Sequence, residues 1–291
     1  MTQIGAPRGM PLERQFEAAG LRLAAREWGR PGDLPLIAVH GWLDNAGSFD
    51  LLAPRLAGCH TLALDAAGHG FSDFRSRDSG YNIWQDVGEI AAVADQAGWP
   101  RFRFVGHSRG AAIGMLLAGT FPDRVEQLVL IEGGLPLIAR DEEAPEGLAE
   151  ALRRSRELAG RTGRTFPSRD SAIDERAEGF SKVTREAAEI LARRSLREVE
   201  GGFRWHADQR LKGRSELRLT PAQARAFIRR VTAPVLMFRA SQSPFAGMAE
   251  YEEMIPLLGG IEIVPLAGRH HLHLEGAEGE IAARMLRFFG L

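Results

Sequence analysis

Apolar residues are distributed along this chain in two alternating patterns. Short, nearly continuous apolar runs occur at 34–40, 61–65, 102–106, 127–132, 234–240 and 261–266. Runs of that length suit strands buried on both faces of a parallel sheet. Residues 15–19 and 21–28 read as a hairpin ahead of them. Helical patterns lie between the runs. Ile83, Val87, Ile90, Ala91 and Ala94 recur on one helical face. Residues 109–120 are small and apolar and stop before Pro122, and 277–289 carries Ile281, Met285, Leu286 and Phe289 at helical spacing. Strand alternating with helix predicts βαβ units, hence an α/β fold with a mostly parallel central sheet flanked by helices.

The alternation breaks between about 134 and 220. That stretch is dense in Arg, Glu and Ala, with helical signals and no clear buried strand. It predicts a helical lid, or cap, inserted between two strands of a core formed by 1–133 and 221–291. Arg153, Arg154, Arg156, Arg161, Arg193, Arg194 and Arg197 lie in it. With acids interspersed, these read first as solvated helix faces and second as a basic rim favouring acidic substrates.

Composition narrows the class. The 291 residues are 44% hydrophobic and 26% charged, with a formal net charge of −1. No basic excess points to nucleic acid. The single cysteine, Cys59, cannot form an internal disulfide and reads as a small core residue at a strand start. Residues 1–15 hold Pro7, Arg8, Pro11 and Arg14 and no apolar leader core, and no apolar run is long enough to span a membrane. The expectation is a soluble, cytoplasmic protein. Oligomeric state is left open.

The chemistry starts at Gly106-His107-Ser108-Arg109-Gly110, a G-x-S-x-G sequence. Alone it arises by chance in on the order of one chain in ten, so placement decides. Here it follows a buried strand and opens a small-residue helix, the setting of a nucleophile elbow. The turn is too tight for bulky neighbours, which the flanking glycines relieve. Ser108 then stands at a helix N-terminus, where the dipole favours developing negative charge. An oxyanion hole in this architecture takes one N–H from the residue after the nucleophile and one from the loop after the 34–39 strand. These are assigned to Arg109 and to Trp42 in His40-Gly41-Trp42. His40 reads as a loop brace.

These segments, with Asp65-Ala66-Ala67-Gly68-His69-Gly70 and a histidine segment near the C-terminus, resemble the α/β-hydrolase superfamily over essentially the whole chain. Gly41-Trp42-Leu43-Asp44-Asn45-Ala46-Gly47-Ser48-Phe49, Phe203-Arg204-Trp205 and Leu217-Arg218-Leu219-Thr220 resemble its serine-hydrolase-like branch. In Gly268-Arg269-His270-His271-Leu272-His273-Leu274-Glu275 three histidines compete. The family register makes His270 the general base, with His271 and His273 as alternatives and Glu275 as the trailing acid. Metal binding is disfavoured because no second donor cluster accompanies the histidines.

The chain departs from its relatives at the acid. Most carry an aspartate in the loop after the 234–240 strand, where Ser243 stands here. A hydroxyl cannot balance an imidazolium. Glu132, ending the 127–132 run, is the substitute; the haloalkane dehalogenase branch is similar in placing its acid there. Asp65 is structural by resemblance, and Asp44 and Asn45 are candidates for lining the pocket.

The reading is therefore a serine hydrolase cleaving carboxylic esters of small molecules through an acyl-enzyme on Ser108, with His270 and Glu132 and no cofactor or metal. Thioesterase, lactonase and C–C bond hydrolase activities share the same residues. Dehalogenase and epoxide-hydrolase chemistry want a carboxylate at 108. A weakly catalytic binding protein is the remaining rival, supported only by Ser243.

Overall fold

The computed structural model describes residues 10–179 and 181–291. Residues 1–9 of the stretch searched for a leader lie outside them. Among the described residues ten strands occur: β1 (Leu12–Ala18), β2 (Leu21–Trp28), β3 (Leu34–Val39), β4 (Cys59–Leu64), β5 (Phe102–His107), β6 (Val125–Ile131), β7 (Leu196–Val199), β8 (Gly202–Trp205), β9 (Val235–Ala240) and β10 (Ile261–Leu266). The helices are α1 (Ile83–Gln96), α2 (Arg109–Thr120), α3 (Ala144–Leu158), α4 (Arg169–Glu178), α5 (Arg185–Ser195), α6 (Pro221–Arg230), α7 (Ala249–Met254) and α8 (Glu278–Phe289). None is long and apolar enough to cross a membrane.

Eight strands form one sheet in the order β1-β2-β4-β3-β5-β6-β9-β10. The pairs from β4 through β10 are parallel, while β1–β2 and β2–β4 are antiparallel. This is the predicted α/β-hydrolase sheet, its parallel strands joined by helices. Side-chain alternation divides the core. Ile37, Phe104, Leu128, Leu130 and Met237 face the layer of α1, α2 and α6. Leu36, Val105, Val129, Leu236 and Phe238 face the other way, against Phe49, Leu52 and α8. Period-two alternation within continuous apolar runs is what a sheet covered on both faces requires. Cys59 is buried at the first position of β4, and burial pushes its thiol up to about 11.

Between β6 and β9 the chain leaves the sheet for α3, α4, α5, β7, β8 and α6. The β7–β8 hairpin is a feature that the expectation of a helical lid did not include. Its strands are four residues each, half-exposed and interrupted by Arg197, Glu198 and Arg204, so no buried run marks them. Most of the arginines noted there are exposed, but Arg194 is not. Its Nε donates to Asp65 Oδ2 at 2.7 Å and its Nη1 to Glu13 Oε1 at 2.6 Å. Asp65, fully buried, also accepts the N–H groups of Ala46 and Phe71. The structural reading of Asp65 thus acquires a mechanism: it ties α5 to the ends of the core strands.

A second buried charge group lies under α1. Glu89 pairs with Arg75 at 2.6 Å, and Asp86 with Arg109 at 2.6 Å. Burial pushes the Glu89 carboxyl up to about 7; the Asp86 charge adds to this and Arg75 opposes it.

Two outcomes follow. Removing one partner of a buried pair strands the other charge, so Arg194→Met should cost about 3–5 kcal/mol. Exposed Arg193→Met should stay within about 0.5 kcal/mol; urea unfolding reads both. Glu89 keeps its proton in the folded state up to about 7, whereas the unfolded chain releases it near pH 4.3. Its contribution is present below the unfolded pKa and is lost as pH rises through 7. Between pH 5 and pH 8 the wild type should therefore lose stability relative to Glu89→Gln, on the order of 3 kcal/mol. An unchanged gap between the two proteins would show that Glu89 does not titrate there.

Candidate active site

Backbone crowding builds the site. Ser108 lies between β5 and α2 with φ 52° and ψ −112°, outside the regions open to ordinary residues. Its N–H donates to Ile131 O at 2.9 Å, and its carbonyl accepts from Ala111 N at 3.0 Å. A Cβ at Gly106 would collide with the backbone of Gly110, and one at Gly110 with the carbonyl of Val39. The elbow closes only because both are glycine. Among the described residues four non-glycines take positive φ: Ala19, Leu43, Ser108 and Glu132. Three of the four are here, where strain concentrates at functional sites.

Glu132 ends β6 beside the elbow. Its side chain is 1% exposed. One carboxylate oxygen accepts the Ala240 N–H at 2.7 Å, and the other lies 3.3 Å from His270 Nδ1. His270 and Ser108 both line one cavity of about 830 Å³. The elbow reaches the histidine loop directly as well, since His107 Nε2 donates to the His270 carbonyl at 2.9 Å. Ser243, where an aspartate was expected, accepts the N–H of Phe245 instead.

The other two histidines are placed differently. His271 is buried, with Nε2 3.0 Å from Asp44 Oδ2. His273 is fully buried, with Nε2 2.7 Å from Ser48 Oγ. Burial, reinforced by His271, drives His273 down to about 3. Burial and the neighbouring histidines hold His107 well below the usual imidazole range. Burial opposes the Asp44 charge, yet His271 and Arg176 overcome it and hold the carboxyl well below its usual range. Arg176 of α4 donates to Asp44 Oδ1 at 2.8 Å. Glu275 accepts from the N–H of Thr184 and from Arg269.

This corrects two expectations. Asp44 and Asn45 do not line the cavity: both are buried, and Asn45 caps the turn at Ala46–Phe49 while bonding Leu191 O and Ser195 Oγ. The histidine segment also does have companion donors. Asp44, His107 and His271 bring ligand-type atoms within 4.8 Å of one another. Their separation in sequence hid this. Arg176 already supplies the positive charge that a cation would bring to Asp44.

Trp42 lines the cavity, and its indole N–H donates to Leu211 O at 2.8 Å. Its loop is braced as expected of His40, whose Nε2 accepts the Ala66 N–H at 3.1 Å. His69 braces it as well, accepting the Leu43 N–H at 3.3 Å. Arg109 opens α2 and also lines the cavity.

Comparison with known proteins agrees with this architecture. Residues 35–277 match the family model described as alpha/beta hydrolase fold. Human "Serine hydrolase-like protein 2" is 30% identical, with 94% of this chain and 92% of that protein covered. A "Probable serine hydrolase" of Drosophila melanogaster is also 30% identical, over 91% of this chain and 83% of its own length. A solved hypothetical protein of Pseudomonas aeruginosa is 40% identical with TM-score 0.91, covering 96% of this chain and 99% of that one. The thioesterase domain from the curacin biosynthetic pathway is 25% identical with TM-score 0.84, covering 95% and 99%. The chain belongs to the α/β-hydrolase family, as a hydrolase whose relatives are serine hydrolase-like proteins.

Proposed function

We propose that the protein is a serine hydrolase that cleaves carboxylic esters through an acyl-enzyme on Ser108. The observation that carries this reading is the His270–Glu132 contact of 3.3 Å at a cavity that Ser108 also lines. His270 takes the Ser108 hydroxyl proton as the oxygen attacks the ester carbonyl. Glu132 holds the Nδ1–H tautomer and balances the imidazolium. The Ala240 N–H fixes the carboxylate from the opposite side. The backbone N–H groups of Trp42 and Arg109 receive the tetrahedral oxyanion. His270 returns its proton to the departing alkoxide, leaving the acyl group on Ser108. Water, deprotonated by His270, then releases the carboxylic acid and restores the serine. Residues 134–220 act as the lid over the cavity, a role supported by Leu137, Leu211, Leu217 and Leu219 among its lining.

The likeness to a thioesterase domain supports a second reading, in which the same residues cleave thioesters. A Glu132 carboxylate in contact with His270 weighs against the inert binding protein, whose support was the hydroxyl at 243.

Hydrolysis of p-nitrophenyl esters of graded chain length tests the proposal. Ser108→Ala should abolish turnover, and Glu132→Gln should lower kcat by about 10³–10⁴-fold. Full activity in Glu132→Gln would displace Glu132 from its assigned role. Matched oxygen and sulfur esters of one acyl group decide between the two readings by the larger kcat/KM.

A further inference from the structure

The cavity wall is one-sided in charge. Beside apolar surface from Trp42, Trp84, Leu137 and Phe245, its lining holds Arg109, Lys182, Arg214, Arg218 and Arg269, and no aspartate or glutamate. An apolar cleft with a few converging polar groups is the usual form of a small-ligand site. The cations differ in how they are satisfied. Arg109 is held by Asp86, Lys182 by Glu178 and Arg269 by Glu275. Arg214 has Glu150 on Nη1 at 2.9 Å, but its Nε is buried with no hydrogen-bond partner. Arg218 is half-buried and forms no hydrogen bond or ion pair among the described residues. Burial lowers its pKa and the neighbouring charge of Arg214 lowers it further, against a smaller opposing pull from Glu150 and Glu143, neither of which hydrogen-bonds to it. The carboxylate nearest in sequence, Glu216, is turned against Gly80.

An unpaired, half-buried guanidinium at an apolar cavity, with the charge of Arg214 beside it, is costly without an anion. Planar forked donors match a carboxylate in geometry as well as charge. We propose that Arg214 and Arg218 form a carboxylate-binding subsite. The substrate is then an ester or thioester bearing a carboxylate that an apolar spacer separates from the carbonyl attacked by Ser108. This rests on the hydrolase reading above and names its substrate class. The basic residues concerned are not the arginines singled out in the sequence, of which Arg153, Arg154, Arg156 and Arg161 are exposed and absent from the cavity lining.

Two ester series test it, each beside a methyl-capped, uncharged counterpart of equal length. Mono-p-nitrophenyl esters of C4 to C10 dicarboxylic acids carry the charge on the acyl side. Acetyl esters of ω-hydroxy acids carry it on the alcohol side. The expected result is a charged-to-neutral kcat/KM ratio on the order of 10- to 100-fold at the fitting length in one series. That ratio should fall towards one in Arg218→Met and in Arg214→Met, and be partly kept in Arg218→Lys. The control Arg153→Met should retain it, and thermal unfolding of each variant verifies folding. Equal ratios at every length, with Ser108-dependent hydrolysis of the neutral esters intact, would overturn the subsite and leave the hydrolase proposal standing. A preference that survives both methionine variants would also overturn it. An absence of Ser108-dependent hydrolysis in both series would overturn the hydrolase reading and the subsite with it.

Discussion

The structure depends on one crowded backbone crossing, where β5 turns into α2 against the ends of β3 and β6. There is no room for Cβ atoms at Gly106, Gly110 or Gly133, where they would meet Gly110, Val39 and Ser108 respectively. That proximity forces Ser108 into a conformation costing about 1–3 kcal/mol. The sheet supplies the compensation. Ser108 N–H is bound to Ile131 O, and the next strand tip repeats the arrangement with Glu132 N–H on Phe238 O at 3.0 Å. Two neighbouring strand tips thus end in left-handed residues, at φ 52° and 47°. Each presents a side chain of the proposed triad at the C-terminal end of its strand.

The loop carrying His270 is fixed from behind by buried groups that never reach the cavity. His107 holds its backbone, Asp44 holds His271, and Ser48 holds His273. The charge states agree with this role. Burial keeps His107 and His273 neutral, so they act as hydrogen-bonding wedges, while Asp44 stays ionised against Arg176. Arg176 belongs to α4 of the inserted segment. The insertion is thereby bonded to the platform on which His270 stands, just as Arg194 bonds it to Asp65. Buried pairs of this kind add little net stability but penalise any arrangement that separates the partners. They fix where the insertion sits.

What could be read from the sequence follows from locality. The sheet strands and α1, α2 and α8 were legible because each is a continuous or periodic apolar pattern. G-x-S-x-G was legible because tight backbone geometry dictates glycine at fixed offsets. That Glu132 meets a partner could be inferred because a charge ending a buried strand needs one. The β7–β8 hairpin was not legible, because its half-exposed strands alternate with charges. Neither was the Asp44–His107–His271 group, whose members come from three separate segments. The same holds for charge. A count of arginines in 134–220 could not distinguish Arg153, in water, from Arg194, buried on Asp65, or Arg218, facing the cavity.

The placement of the acid and the character of the cavity are connected. With Glu132 on the tip of β6, the carboxylate is bonded by Ala240 N–H and sealed at 1% exposure beneath His270. The loop after β9 carries Ser243 and no carboxylate, and its residues Gln242, Pro244 and Phe245 serve as cavity wall. An aspartate at 243 would stand close to that wall. With the negative charge behind the histidine, the charged side chains that line the cavity besides His270 are all cationic, and of these Arg218 has no carboxylate partner among the described residues. An unpaired cation in a low-dielectric cleft attracts an anion more strongly than it would on an open surface. The departure from the usual aspartate position thus permits the electrostatic character of the pocket.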